Sequence, residues 1–202
     1  MTIRVSEFDL RYWEHRHTED HERRPEGFEW LASYGTSVVH DAVNRHFQKD
    51  DVILELGCGT SGLMHDLAQD GFSRLKAIDY SQAAIDTQNS IHGDADIDFR
   101  CMDVSNLEFE NSSIDGIIDK STLDSLDCCV GVDDQSAARR AVQEAYRVLR
   151  PRGRWIVISL RDPKRRVEDF EGLFRLVDVV EVRTNDASPC ADYFVYCFER
   201  EA

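Results

Sequence analysis

The sequence predicts an α/β protein with a Rossmann-like, doubly wound sheet of seven strands that is mostly parallel and has helices on both faces. Short apolar runs alternate with helical patterns from residue 52 onward, as in strands joined by crossover helices. A glycine-rich segment follows the first strand and opens a helix. The chain ends in two strand-like runs joined by a short loop, which predict an antiparallel C-terminal strand.

The elements follow in a regular order along the chain. The first forty residues, rich in aromatic and charged side chains, predict one or two helices around a turn at Pro25–Gly27. Apolar runs predict strands at 51–56, 75–80, 97–103, 113–120, 154–160, 176–184 and 193–200. Helical patterns lie at 37–47, 61–71, 81–91 and 136–149, and a last short helix is predicted at Phe170–Phe174.

Composition predicts a soluble, single-domain protein of the cytoplasm. The 202 residues are 42% hydrophobic and 31% charged, without an apolar run of membrane-spanning length or an N-terminal signal core. The net charge of −15 disfavours nucleic acid and membrane surfaces and fits a basic protein partner, although acidity also serves solubility alone. Local basic patches occur at Arg139–Arg140 and Lys164–Arg166. The six cysteines include no Cys-x-x-Cys pair, so no metal site is expected. We expect a monomer.

The glycine-rich segment Gly57–Gly62 predicts a site for a nucleotide-containing cofactor. It matches Gly-x-Gly-x-x-Gly, and Asp79 ends the second strand about 20 residues later. This pattern fits both NAD and S-adenosylmethionine, because glycines and a ribose-binding acid serve either ligand. Glu55 two residues before the first glycine, Asp103 at the end of the third strand, and the C-terminal hairpin favour S-adenosylmethionine. NAD remains the weaker alternative.

The segment after the fourth strand provides a more specific signal. Residues 119–126, DKSTLDSL, resemble the Asp/Glu-Lys-Gly-Thr-Leu-Asp-Ala-Leu signature of a group of class I, seven-β-strand protein lysine methyltransferases. This group includes enzymes that modify elongation factor 1-alpha and citrate synthase. Residues 12–17, YWEHRH, and 28–30, FEW, resemble two N-terminal motifs of the group. His17, Ser121 and Ser125 depart from its pattern, where the group has Tyr, Gly and Ala.

The resemblance implies a protein-lysine N-methyltransferase that uses S-adenosylmethionine. It implies one domain, 1–202, in which residues 1–48 form a helical cofactor lid and residues 49–202 form the Rossmann-like core. The implied cofactor contacts are Gly57 and Gly59 at the methionine and ribose portion, Asp79 at the ribose, Tyr80, Asp103 and Val104 at the adenine, Asp119 and Lys120 at the end of the fourth strand, and Trp13 and Trp30 over the methionine end. Asp124 is the candidate catalytic residue, and either it or Asp119 would orient the lysine amine.

Two alternatives use the same fold. A small-molecule methyltransferase would share the cofactor pocket, and a catalytically silent binding module would keep the pocket without methyl transfer. The segment after the fourth strand lacks the Asn/Asp-Pro-Pro-aromatic loop of adenine amino methyltransferases. Cys128 and Cys129 in that segment lack the preceding proline of cytosine C5 enzymes. Both observations argue against a nucleic-acid substrate.

Overall fold

The computed structural model describes residues 10–24, 27–128, 137–183 and 192–202. The helices in these ranges are α1 (Leu10–Arg23), α2 (Ser37–His46), α3 (Leu63–Gln69), α4 (Gln82–His92), α5 (Thr122–Cys128), α6 (Ala137–Val148) and α7 (Pro163–Asp169). The strands are β1 (Val52–Leu56), β2 (Arg74–Asp79), β3 (Ile97–Cys101), β4 (Ile114–Lys120), β5 (Leu149–Ser159), β6 (Phe174–Val182) and β7 (Tyr193–Arg200). Within the same ranges, no helix combines the length and apolar character needed to cross a membrane.

The strands form one seven-stranded sheet in the order β3-β2-β1-β4-β5-β7-β6. Neighbours from β3 to β5 are parallel, and β7 runs antiparallel between β5 and β6. The predicted fold class is therefore confirmed, including the antiparallel C-terminal strand. Strand order reverses between β1 and β4, and ligands of doubly wound sheets bind at this switch point, beyond the carboxyl ends of the strands.

Helices cover both faces of the sheet because its central strands are apolar on both sides. All five residues of β1 are buried. Leu54 belongs to one core cluster together with Val142 of α6, whereas Ile53 belongs to a second cluster together with Val39 of α2. The site at the strand ends is thus mounted on a rigid, doubly packed sheet.

Some predicted elements differ from the structure. The prediction of a last helix at Phe170–Phe174 is wrong, because α7 ends at Asp169 and Phe174 begins β6. Asp162 caps α7 by accepting a hydrogen bond from the Arg165 amide at 3.3 Å, and a proline occupies the first turn. Helix α5 was not predicted. The predicted turn residue Pro25 and helix start Ser136 lie outside the described residues.

Candidate active site

A cavity of about 480 Å³ lies at the carboxyl ends of the parallel strands, beside the switch point between β1 and β4. Its size is typical of small-ligand sites. The predicted site residues that line it are Trp13, Trp30, Gly57, Gly59, Asp79, Tyr80, Asp103, Val104, Lys120 and Asp124. Asp119 is the one predicted site residue that does not line the cavity.

The turn after β1 needs glycine at two positions. Gly57 has φ +65°, and a Cβ there would lie 2.2 Å from Thr122 Oγ1, whose hydroxyl donates to the Leu56 carbonyl at 2.7 Å. Gly59 has φ +50°, and its Cβ would lie 3.3 Å from Cε1 of His17. The side chains of α5 and α1 therefore pack directly onto the glycine backbone. Only residues without a Cβ permit this close packing and the left-handed turn.

Asp79 at the end of β2 accepts hydrogen bonds that fix the glycine turn. Its Oδ2 accepts the Gly59 amide and its Oδ1 accepts the Ser81 amide, both at 2.9 Å. The side chain is buried, and this burial raises the pKa of Asp79 above its ordinary value. Each carboxylate oxygen keeps a second lone pair, so Asp79 can also accept hydrogen bonds from ligand hydroxyls.

The segment after β3 forms the next wall of the cavity. Asp103 is exposed, and its Oδ1 accepts the Ser105 amide at 2.7 Å, which orders the turn. Val104 is buried, and Tyr80 follows β2 on the same side. An apolar surface beside a carboxylate fits an adenine ring and its exocyclic amine.

Glu29 joins the N-terminal segment to the glycine turn and to β4. Its carboxylate accepts hydrogen bonds from Lys120 Nζ at 2.7 Å, from the Gly62 amide at 2.7 Å and from Ser61 Oγ at 2.9 Å. The Lys120 side chain is only 3% exposed, so this ion pair lies largely inside the protein. Glu29 is absent from the predicted site residues, although the FEW motif contains it. Its role becomes visible only when the two segments are brought together.

Gly27 brings the N-terminal segment close to the same turn. It has φ +95°, and a Cβ at this position would lie 2.2 Å from the Thr60 carbonyl oxygen. The next amide, that of Phe28, donates to Thr60 at 3.2 Å. Backbone therefore packs on backbone between residues 27–28 and the glycine-rich turn.

Helix α1 is attached to α4 by Glu14, whose carboxylate accepts the Gln82 amide at 2.7 Å and the Ala83 amide at 3.1 Å. These amides lie at the N-terminus of α4, where a negative charge is favourable. On the cavity side of α1, Trp13 stacks on His17, with ring centroids 5.4 Å apart. His17, which departs from the motif, is 5% exposed and lines the cavity.

Large apolar side chains surround the mouth of the cavity. Trp13 meets Trp30 edge to face at 6.4 Å. The exposed members of this apolar rim are Leu10, Tyr12, Trp30 and Leu160. Exposed aromatic and aliphatic residues around a concave site are a common feature of surfaces that bind a partner.

Two carboxyl groups lie beneath the cavity. Glu55 is fully buried, its Oε2 has no hydrogen-bond partner among the described residues, and burial raises the pKa of Glu55 to about 8. Burial also raises the pKa of Asp119 to about 8, and this carboxyl group accepts the Leu123 amide at 3.1 Å. Asp119 thus begins α5 from inside the core. This placement explains why it does not reach the cavity.

Asp124 lies on α5, where its carboxylate faces the end of β5. Oδ1 accepts Ser159 Oγ at 2.6 Å and Arg166 Nη2 at 2.7 Å. Oδ2 accepts the Leu160 amide at 3.0 Å. About four acceptor positions exist on a carboxylate, so one remains for a group in the cavity.

The backbone conformation of Ser121 explains why the signature has glycine at this position. Its φ is +68°, in the left-handed region that favours glycine, and glycine is the signature residue at this position. Its Oγ is buried and has no hydrogen-bond partner among the described residues. A strained residue that lines a cavity is typical of functional sites.

Comparison with known proteins identifies the family. A family described as "Methyltransferase domain" matches residues 54–157, which is about half of the chain. The chain is 30% identical over 153 residues to the zebrafish (Danio rerio) eEF1A lysine and N-terminal methyltransferase, covering 74% of this chain and 21% of that protein. It is 27% identical over 169 residues to the cattle (Bos taurus) EEF1A lysine methyltransferase 4, covering 80% of this chain and 65% of that protein. The chain thus spans from a fifth to about two thirds of the length of these relatives.

Solved structures agree on the fold. An S-adenosylmethionine-dependent methyltransferase from Methanosarcina mazei has a TM-score of 0.65 at 18% identity and covers 82% of this chain and 97% of its own. The N-methyltransferase NodS from Bradyrhizobium japonicum, solved with S-adenosylhomocysteine, has a TM-score of 0.65 at 17% identity and covers 92% and 99%. The chain belongs to the methyltransferase domain family. The predictions of an S-adenosylmethionine-dependent methyltransferase and of its cofactor are confirmed.

The cavity of this methyltransferase domain fits the cofactor. Gly57 and Gly59 line the cavity where the methionine and ribose portion would lie, the buried Asp79 carboxylate fits the ribose hydroxyls, and Asp103 with Val104 fits the adenine. Membership of this family decides between the two candidate ligands, in favour of S-adenosylmethionine over NAD. Among the described residues, no group of three or more His, Cys, Asp or Glu side chains is placed to hold a metal ion.

Proposed function

We propose that this chain methylates the side-chain amine of a lysine in a protein, and that elongation factor 1-alpha or a similarly abundant protein is the substrate. The observation that carries the proposal is a single cavity lined by the glycine turn, by Asp124 from the lysine-methyltransferase-like signature, and by an apolar rim. The names of the zebrafish and cattle relatives support the choice of substrate.

The apolar rim suits an amine that must lose its proton before it reacts. S-adenosylmethionine, when bound, supplies an electrophilic methyl group on a positively charged sulfur. A lysine has an ordinary pKa of about 10.4, so its neutral form costs about 4–5 kcal/mol at neutral pH. Burial of the amine against Trp13 and Trp30 would exclude water and lower its pKa. The aromatic walls would thereby reduce the free energy needed to deprotonate the amine.

Asp124 would orient the acceptor amine. Its carboxylate is held by Ser159, Leu160 and Arg166, it retains one acceptor position on Oδ2, and the residue lines the cavity. A fixed acceptor can hold an amine hydrogen and so direct the nitrogen lone pair toward the methyl group. Correct orientation of two reactants can contribute up to about 7–11 kcal/mol to a reaction.

The proposal extends to the organisation of the chain. Residues 1–48 would act as a cofactor lid on core 49–202, and the contacts of Glu14 with α4 and of Glu29 with Lys120 support a lid that docks on the core. We also propose a monomeric, cytoplasmic enzyme whose partner is a basic protein and not nucleic acid or membrane. The net charge of −15 supports a basic partner.

The test is a methylation assay with tritium-labelled S-adenosylmethionine. Purified chain is incubated with recombinant elongation factor 1-alpha and, separately, with a cell lysate treated with nuclease. Asp79→Ala serves as the cofactor-site variant. Asp86→Ala serves as the matched control, because Asp86 is exposed on α4 and accepts a hydrogen bond from Gln82 in its own helix. Mass spectrometry of a labelled protein identifies the methylated residue.

We expect a labelled protein band with the wild type and with Asp86→Ala, and no band with Asp79→Ala. A lysine in that band would support the proposal. Label only in metabolites would show a small-molecule methyltransferase instead. Binding of S-adenosylhomocysteine by calorimetry without any methyl transfer would show a silent binding module.

A further inference from the structure

Arg166 is a fully buried cation outside the residues assigned to the site. The sequence places it in the basic patch Lys164–Arg166, yet its side chain has no exposed surface. Its guanidinium pairs with Asp124 at 2.7 Å, with Asp169 at 3.0 Å and with Asp127 at 3.1 Å. Removing one partner from such a buried pair is strongly destabilising, so the arrangement is specified by the fold.

Arg166 is connected to the cavity wall both by its direct pair with Asp124 and through Ser159. Nη2 of Arg166 donates to Ser159 Oγ at 3.0 Å, and Ser159 Oγ donates to Asp124 Oδ1 at 2.6 Å. Asp124 Oδ2 accepts the Leu160 amide at 3.0 Å. Asp124 and Leu160 both line the cavity, whereas Arg166 and Ser159 do not. One guanidinium therefore joins α7, the end of β5 and α5 at the cavity wall.

This wall is the side of the cavity away from the cofactor features. Gly59, Asp79 and Asp103 follow β1, β2 and β3, on one side of the switch point. Asp124 and Leu160 follow β4 and β5, on the other side. If the proposed function holds, the β4–β5 side is where the acceptor lysine enters.

We propose that Arg166 is a positioning residue for the acceptor. It holds Asp124 and the Ser159–Leu160 corner in place, so it controls acceptor recognition and turnover while cofactor affinity stays unchanged. This inference rests on the proposed function. The two terminal nitrogens of Arg166 donate to Asp124, Asp169 and Ser159. A rigid planar fork fixes these three acceptors relative to one another, which the single nitrogen of a lysine ammonium cannot do.

The kinetic test uses Arg166→Lys, which keeps the charge and removes the fork. We expect kcat/KM for the acceptor protein to fall about tenfold or more, while the calorimetric Kd of S-adenosylhomocysteine stays within about twofold. Arg165→Lys is the matched control, because Arg165 is exposed on the same helix and pairs with Asp162; its kcat/KM should stay within about twofold. Asp124→Asn combined with Arg166→Lys should be no slower than Asp124→Asn alone.

Hydrogen exchange of the Leu160 amide tests the positioning without any substrate. We expect exchange to accelerate about tenfold in Arg166→Lys, and the Gly59 amide, which bonds to Asp79, to be unaffected. Ser159→Ala removes only the bridging hydroxyl and leaves the direct Arg166–Asp124 pair, so exchange of the Leu160 amide should rise less than in Arg166→Lys. It keeps the proposal testable if Arg166→Lys fails to fold, and unchanged Leu160 exchange in Ser159→Ala would then count against it.

Several results would overturn the inference: unchanged Leu160 exchange, unchanged turnover despite faster exchange, a parallel loss of S-adenosylhomocysteine affinity, or additive effects in the Asp124→Asn background. Absence of protein methylation by the wild type would refute the proposed function alone. In that case Leu160 exchange would still decide whether Arg166 positions the cavity wall.

Discussion

Replacement of Ser121 by glycine should stabilise this protein, although most substitutions at buried positions destabilise. Ser121 has φ +68° and a buried Oγ without a hydrogen-bond partner among the described residues. Ser121→Gly removes both the backbone strain and the unpaired hydroxyl. It also restores the residue of the signature that the segment resembles.

The expected gain can be worked from these two features. A left-handed backbone costs a residue with a side chain about 1–2 kcal/mol, and an unpaired buried hydroxyl costs about 1–3 kcal/mol. Glycine loses about 0.5–1 kcal/mol more backbone entropy on folding. The net expectation is a rise of about 1–4 kcal/mol in the free energy of unfolding. Each kcal/mol corresponds to about 2–4 °C in Tm for a chain of this length.

Urea unfolding followed by circular dichroism measures the effect, with Ser125→Gly as the control. Ser125 lies in helix α5, where its amide and its Oγ both donate to the Ser121 carbonyl. Glycine there should lower the free energy of unfolding by about 1 kcal/mol. Shifts of the same sign in both variants, or destabilisation by Ser121→Gly, would refute the reasoning from φ.

Three further predictions follow from the site. Gly57→Ala should lower the free energy of unfolding by about 2–5 kcal/mol and abolish S-adenosylhomocysteine binding in calorimetry. The control is Gly71→Ala, with φ +91° and no atom within 4 Å of its Cβ, which should lose only about 1–2 kcal/mol and bind S-adenosylhomocysteine normally. Equal losses of stability in the two variants would rule out the steric explanation. Glu29→Ala should lower the free energy of unfolding by about 2 kcal/mol, allowing for its partial exposure, and weaken S-adenosylhomocysteine binding, while Glu19→Ala on the surface of α1 should change neither. Burial raises the pKa of Glu55 from 4.5 to about 8. Between those pH values the folded protein keeps a proton that the unfolded chain has lost, so stability falls as the pH rises. Glu55→Gln should flatten this fall in urea titrations, and an unchanged pH profile would show that Glu55 is not its source.

Most of the fold could be predicted because it is written in local patterns. Buried parallel strands are short apolar runs, and the glycine-rich turn is a fixed spacing, so β1, the turn and α3 were recognisable from the sequence. The last helix was misplaced because the aromatic run at 170–174 resembles a helix face. Its residues instead fill the core: Phe170 is fully buried and stacks on Phe198 of β7 at 4.0 Å.

The site was predictable where strand ends define it and not where distant segments meet. Asp79 ends β2 and Asp103 follows β3, and the carboxyl ends of parallel strands converge at one edge, so both carboxylates could be assigned from the sequence. Glu29, by contrast, contacts Lys120 across 91 positions of sequence. No local pattern encodes that separation.

The sequence by itself determined the fold class and the cofactor turn, because both depend on short-range spacing of glycines, acids and apolar residues. Its resemblance to a methyltransferase signature indicated the family. Tertiary structure alone decided which charged groups are buried. Arg166 stands in a basic stretch of sequence and yet pairs with three carboxylates inside the protein, whereas Asp119, within the signature, turns into the core and away from the cavity. Burial of a charge depends on partners brought together by packing, and spacing along the chain carries no information about them.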